Sequence, residues 1–147
     1  MIVLTWDEVH ALAGQCADEV SGRTFKPDCV IGITMGGVIP AAMIAEQFKT
    51  RNFITISAES YHNKEQGELK ITYLPTIDLA GKKILLVDEI ADSGATMKKI
   101  VEILQKEYKP KEIVTVALVV NSDNCTFRPD VFATEVREWV HFPWETN

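Results

Sequence analysis

The segment that most narrows the possible folds runs from Lys82 to Thr96, KKILLVDEIADSGAT. Ile84, Leu85, Leu86 and Val87 form an unbroken apolar run, the pattern of a strand buried on both faces. Asp88 and Glu89 follow side by side, then Asp92, then the small-residue turn Ser93-Gly94-Ala95-Thr96. From Ala95 the spacing becomes helical, and it predicts a helix over 95–108 with Met97, Ile100, Val101, Ile103 and Leu104 inward. A doubly buried strand that passes straight into a helix commits the chain to a parallel sheet covered by helices.

The other segments follow the same alternation. Thr5-Trp6-Asp7-Glu8 reads as a capping box, with Val9, Leu12, Ala13, Cys16 and Val20 at helical spacing behind it and Ser21-Gly22 as the stop. CVIGIT at 29–34 is a buried strand, and VIPAAMIAEQF at 38–48 is a helix with Pro40 in its first turn, where proline is tolerated. NFITISAES at 52–60 alternates as a strand does, YHNKEQGE at 61–68 reads as an exposed loop, and LKITYL at 69–74 as a short strand. KKILLVDE at 82–89 and EIVTVALVV at 112–120 are buried strands, VFATEV at 131–136 is short and edge-like, and REWVHFPWE at 137–145 forms the tail. No repeat or low-complexity linker interrupts this order, so residues 1–147 are expected to form one α/β domain with an open parallel sheet flanked by helices.

The net charge of -6 argues against a nucleic-acid surface. Cys16, Cys29 and Cys125 are odd in number and far apart, which fits free thiols in a reducing compartment rather than a disulfide frame. No apolar run approaches the roughly 20 residues of a membrane span, and MIVLTWDEVH lacks the basic start and long apolar stretch of a secretion signal. A cytoplasmic protein is the expectation.

In open parallel sheets ligands bind outside the carboxyl ends of the strands. Two glycine turns fall at such ends, TMGGV after the 29–34 strand and ADSGAT after the 82–89 strand. Simple helix capping accounts for Asp92 or Ser93, but not for two adjacent carboxylates, which repel each other and are costly to bury without a cation or hydroxyl-rich partner. A nucleoside triphosphatase is a second possibility, since ILLVDE resembles its acidic strand. The required G-x-x-x-x-G-K-[ST] loop is missing, however: the Gly81-Lys82 pair is followed by Lys83. The dinucleotide fingerprint G-x-G-x-x-G is absent too. A third reading joins the parts. The glycine turn offers backbone amides, a helix dipole and the Ser93 and Thr96 hydroxyls to a phosphate, while Asp88 and Glu89 can accept from a diol or lie near a magnesium ion. Together these match a ribose 5-phosphate.

LLVDEIADSGAT resembles the phosphoribosyl-pyrophosphate motif of type I phosphoribosyltransferases. IGITMGGVIPAAMIAE is similar to that family's pyrophosphate loop and following helix, and SAESYHNKEQGELKI to its flexible hood. The TWDE start and EWVHFPWE tail are closest to the bacterial xanthine-guanine and hypoxanthine-guanine enzymes, and the likeness spans roughly residues 3–145. The resemblance implies a type I phosphoribosyltransferase-like fold with a hood loop. It implies transfer of ribose 5-phosphate from phosphoribosyl pyrophosphate to guanine, xanthine or hypoxanthine in nucleotide salvage, with release of pyrophosphate. Mg2+ is the implied cofactor, held by Asp88 and Glu89 directly or through water. A homodimer or homotetramer is implied as well.

Residue by residue, the resemblance makes Asp92 the catalytic group facing the base. It assigns Ser93, Gly94, Ala95 and Thr96 to the 5'-phosphate, Asp88 and Glu89 to the ribose hydroxyls, and Met35, Gly36 and Gly37 to the pyrophosphate. Ser60, Tyr61 and Lys70 fall in the hood. Trp139 is expected to stack on the purine, Val140 to offer it backbone groups, and Asn121 to read its edge, whereas Trp144 beside Pro143 is expected in the core. The chain departs from the family pattern at Met35, which replaces an arginine, at Gly67, where a basic residue is usual although Lys64 and Lys70 are near, and at Asn121, which stands where a lysine reads the 6-oxo group. An amide can donate to a carbonyl or accept from an amino group, so the chain's own residues leave the choice of base open. Met35 and the missing lysine favour an alternative, a non-catalytic nucleotide-binding or sensor protein on the same fold; Asp88, Glu89, Asp92 and Thr96 favour the enzyme.

Overall fold

The structure, a computed structural model, describes residues 1–63 and 66–146. In chain order the elements are β1 (Ile2–Val3), α1 (Trp6–Gly22), β2 (Cys29–Thr34), α2 (Val38–Gln47), β3 (Phe53–Asn63), β4 (Gln66–Tyr73), β5 (Lys83–Ala91), α3 (Ala95–Ile103), β6 (Glu112–Asn121), β7 (Val131–Val136) and β8 (Val140–His141). Among the described residues, six strands form the main sheet in the order β4-β3-β2-β5-β6-β7. All neighbours are parallel except β3 and β4. The expected α/β architecture is therefore present, with an antiparallel hairpin at one edge.

Burial alternates along the central strands as a doubly covered sheet requires. Val30, Leu85, Val87, Val116 and Leu118 join Val9, Ala13, Val20, Ala41 and Ile44 of α1 and α2 in one apolar cluster. Ile31, Ile33, Ile84 and Leu86 join Met97, Ile100 and Leu104 in the other. Truncating a fully buried residue such as Leu86 to alanine would cost about 2–5 kcal/mol. The capping box of α1 is formed: Glu8 N–H donates to Thr5 Oγ1 at 3.1 Å, and Thr5 N–H donates to Glu8 Oε1 at 3.3 Å.

Several boundaries differ from the sequence expectation. β5 continues through Asp88 and Glu89 to Ala91, with Asp88 opposite Ala117 and Ile90 opposite Val119. On its other side β2 keeps register only as far as Gly32 opposite Val87, so the acids there face the turn after β2 instead of a strand. The 61–68 segment expected as a loop is largely strand: Tyr61 pairs with Glu68, His62 with Gly67 and Asn63 with Gln66. Lys64 lies outside the described residues. The helix expected over 95–108 is α3 followed by a π-helical turn, Leu104–Tyr108. Ile103 is only partly buried.

The tail closes the molecule by pairing β8 with β1, Ile2 opposite Val140. Ile2 N–H donates to Trp139 O and Leu4 N–H to His141 O, both at 2.9 Å. A parallel strand turns alternate residues toward its partner. Trp139 and His141 thus face β1, and the Val140 amide and carbonyl are turned to the opposite edge. Trp144 is partly buried, its ring stacked on Phe142 at 4.9 Å between centroids. All three cysteines are free thiols, Cys16 and Cys29 buried. Among the described residues no helix is long and apolar enough to cross a membrane.

Candidate active site

The carboxyl ends of β5 and β6 and the tail enclose two adjoining cavities. One, of about 430 Å³, is lined by Asp88 to Met97 together with Leu69 of β4. The other, of about 500 Å³, is lined by residues that include Asn121, Asn124, Trp139 and Val140. Glu89, Ile90 and Asp92 line both, so a ligand filling the two would pass over these residues.

The first cavity is built around the start of α3. Gly94 caps that helix with φ of 86°, a left-handed conformation that glycine adopts without strain. A Cβ there would also lie 2.1 Å from the Phe127 carbonyl oxygen. The sequence pointed to Asp92 or Ser93 as the ordinary cap; Ser93 instead accepts the Ala95 N–H on its hydroxyl at 3.1 Å. The first amides of a helix have no partner within it, and their dipole end attracts anions. Among the described residues lining this cavity none is basic. A phosphate there would rest on backbone amides and on Ser93 and Thr96.

The acid pair is electrostatically tense. Asp88 keeps some solvent access, yet protein closes around its carboxyl. Burial pushes that carboxyl well above the usual carboxylate range, and the charge of Glu89 and a side-chain hydrogen bond with it push further. The Glu89 N–H, donating to Asp88 Oδ1 at 2.9 Å, opposes the rise. A cation would relieve this repulsion. Among the described residues no three His, Cys, Asp or Glu side chains group as a metal site.

The turn after β2 interlocks with this pair. A Cβ on Gly37 would lie 2.6 Å from Val87 O, 2.7 Å from Ile33 O and 2.9 Å from Asp88 Cα, so backbone alone demands glycine there. A Cβ on Gly36 would strike the Glu89 carboxylate. The Thr34–Met35 peptide is cis. Met35 is 87% exposed, which rules out a place in the core.

The second cavity has an aromatic edge and an acidic lining. Trp139 is 72% exposed on its rim. Glu89, Asp92, Glu138 and Glu145 outnumber Arg137, which lies 3.6 Å from Asp123 across an exposed pair. The Met1 amino group also meets Glu138, at 2.8 Å. Asn121 reaches Asp92 rather than standing alone, its Nδ2 donating to Asp92 Oδ1 at 3.0 Å. Asn124, Arg137 and Glu138 were not singled out from sequence. Asn124 belongs to a polar, Asx-rich turn at the carboxyl end of β6, level with that of β5, whereas Arg137 and Glu138 open the tail after β7, where no local pattern marks them.

The Phosphoribosyl transferase domain model matches residues 4–147. The chain belongs to the phosphoribosyltransferase domain family. It is 32% identical over 146 residues to xanthine-guanine phosphoribosyltransferase of Chromohalobacter salexigens, a match covering 97% of this chain and 82% of that one. The crystal structure of a purine phosphoribosyltransferase from Pyrococcus horikoshii superposes with a TM-score of 0.89 at 28% identity, covering 99% of this chain and 94% of that one. The Helicobacter pylori xanthine-guanine-hypoxanthine enzyme follows at 0.88 and 26%, covering 98% and 93%.

The Ser93–Thr96 turn and the tail border the joined cavities, whereas Met35, Gly36 and Gly37 line neither and adjoin them through Glu89, which lies against Gly36. Lys70 is exposed on β4 opposite Glu59, and it is Leu69 beside it that lines the first cavity. Ser60 and Tyr61 lie on β3, paired with Leu69 and Glu68.

Proposed function

We propose that the protein transfers ribose 5-phosphate from phosphoribosyl pyrophosphate to a ring nitrogen of a 6-oxopurine, breaking the bond from C1' to the pyrophosphate oxygen and releasing pyrophosphate. One observation carries the reading: the phosphate-type cavity and the aromatic-edged cavity share Glu89, Ile90 and Asp92, so sugar and base would meet over these residues. Family membership and the named relatives support the same reaction.

In this reading the turn Ser93 to Thr96 binds the 5'-phosphate through amides and hydroxyls. Asp88 and Glu89 hold the ribose hydroxyls and a magnesium ion, which when bound neutralises charge on the departing pyrophosphate. Gly36 and Gly37 give the pyrophosphate a close approach to backbone, with Met35 at the mouth of that loop. Asp92 accepts a proton from the base or steadies the positive charge that grows on it. Trp139 stacks on the purine, a contact worth about 1–3 kcal/mol per base in nucleic-acid systems, and Val140 meets its edge with the backbone groups turned away from β1. The β3–β4 hairpin, with Ser60, Tyr61 and Lys70, covers the centre and limits water. Cytoplasmic residence and a homodimer or homotetramer belong to the same reading, supported by the free thiols and by exposed Tyr73 and Ile77.

The test is pyrophosphate release from phosphoribosyl pyrophosphate and magnesium with guanine, xanthine, hypoxanthine or adenine. Turnover with a 6-oxopurine is expected. Silence with all four bases together with tight nucleotide binding would make the protein a sensor instead.

A further inference from the structure

The connection that leaves β6 grips the catalytic turn from above. Asn121 closes β6 and Asn124 lies in the turn behind it; each directs Nδ2 at the same oxygen, Asp92 Oδ1, at 3.0 Å. The orientation of Asn121 is fixed independently, because its Oδ1 accepts the Asp123 N–H at 3.1 Å. Against a carboxylate oxygen only the NH2 end of Asn124 makes a hydrogen bond. The same connection holds Ser93: Thr126 N–H and Phe127 N–H donate to Ser93 O at 2.9 and 3.2 Å. Asp92 is itself exposed, and an exposed aspartate without such partners would be free to change rotamer.

We infer that Asn121 and Asn124 are positioning residues that clamp Asp92 Oδ1 and aim Oδ2 at the base. The inference rests on the reading that Asp92 faces the base. Two neutral donors fix the carboxylate without neutralising it, as a lysine at this place would, so its charge stays available to the substrate. Holding a reacting group in one geometry before the substrate arrives removes an entropic part of the barrier.

Asn124 is exposed, so truncating it leaves the fold intact. The experiment measures kcat, KM for phosphoribosyl pyrophosphate and melting temperature for Asn124→Ala, Asn124→Asp, Asn121→Ala, Asp92→Asn and the double variant Asn124→Ala/Asp92→Asn. Asn124→Ala is expected to lower kcat about 10-fold with donor KM and melting temperature unchanged, because one hydrogen bond to a charged group is lost while the Asn121 bond remains. Asn124→Asp, nearly the same shape but of like charge to Asp92, should fall below alanine. In the Asp92→Asn background the Asn124→Ala change should have no further effect. Additive losses in the double variant would overturn the inference, since Asn124 would then act without Asp92. Slow Asp92→Asn beside parental Asn124→Ala and Asn121→Ala would overturn the clamp alone. Near-parental Asp92→Asn would overturn the reading of Asp92 and the clamp with it.

Discussion

Glu89 fills the space that a side chain on Gly36 would need: a Cβ on the glycine would begin 0.9 Å from Glu89 Oε2. Through this contact the turn after β2 and the acid pair of β5 form one surface. The neighbouring Gly37 is confined by backbone, whereas Gly36 is confined by the mobile end of a long side chain.

The two glycines should therefore fail differently. Gly36→Ala is expected to push the Glu89 carboxylate aside, lowering kcat/KM for phosphoribosyl pyrophosphate about 10-fold or more with little change in melting temperature. Gly37→Ala should overpack rigid backbone, a loss of about 1–3 kcal/mol. That corresponds to roughly 2–4 °C per kcal/mol in a chain of this size. Equal melting temperatures for the two variants would contradict this division.

The raised Asp88 carboxyl makes a stability prediction with a definite sign. A carboxyl whose folded pKa lies above its unfolded value holds a proton that the unfolded chain releases, so it penalises the fold increasingly as pH rises from the unfolded value toward the folded one. Burial is the first cause and Glu89 the second. Asp88→Asn keeps an oxygen for the Glu89 N–H and removes the charge. In magnesium-free buffer the variant should melt with the parent at acid pH and above it at neutral pH. A lower melting temperature at neutral pH would show that the charge is compensated by a contact not identified above.

How much could be read from the sequence followed how local each signal was. β2 and β7 were expected with their observed limits, because apolar runs bounded by turns are local. The capping box is likewise local, contained within the four residues Thr5 to Glu8. Polarity, however, misplaced the end of β5 and hid the tip of the β3–β4 hairpin, residues 61–63 and 66–68, since composition reports side chains while strands are made by backbone pairing. β1 and β8 are two residues each and pair across nearly the whole chain, beyond any local pattern. The acid pair, Asp92 and the glycine turns were legible from residue chemistry. Asn124 was not, because its partner lies 32 residues away and only the adjacency of β5 and β6 joins them.

Base choice should depend on charge. The base cavity carries Glu89, Asp92, Glu138 and Glu145 against Arg137, and Asn121 adds no positive charge. Xanthine is the most acidic of the 6-oxopurines and acquires negative charge near neutral pH, so an acidic cavity opposes it increasingly in alkaline buffer. The ratio of kcat/KM for guanine to that for xanthine is expected to rise from mildly acidic to mildly alkaline buffer. Asn121→Lys should flatten that rise and lower guanine turnover by pairing with Asp92. A ratio that does not move with pH in the parent would show that the lining charges are screened or already matched.

Met35 offers the last test. By the family resemblance it stands where an arginine is usual, and its side chain is 87% exposed, so an arginine there would bury no unpaired charge. A hydrogen bond to a charged group is worth about 1.5–3 kcal/mol, and about 1.4 kcal/mol is tenfold in an equilibrium constant. Met35→Arg is therefore expected to tighten phosphoribosyl pyrophosphate roughly 10- to 100-fold with an unchanged melting temperature. Turnover should rise less, because an arginine that holds donor and transition state equally adds binding without speed. The measurement is donor affinity by titration calorimetry beside a melting curve and kcat. Unchanged affinity at an unchanged melting temperature would mean that the turn at Met35–Gly37 does not meet the pyrophosphate, and the donor would then have to be held by the Ser93–Thr96 turn and the acid pair alone.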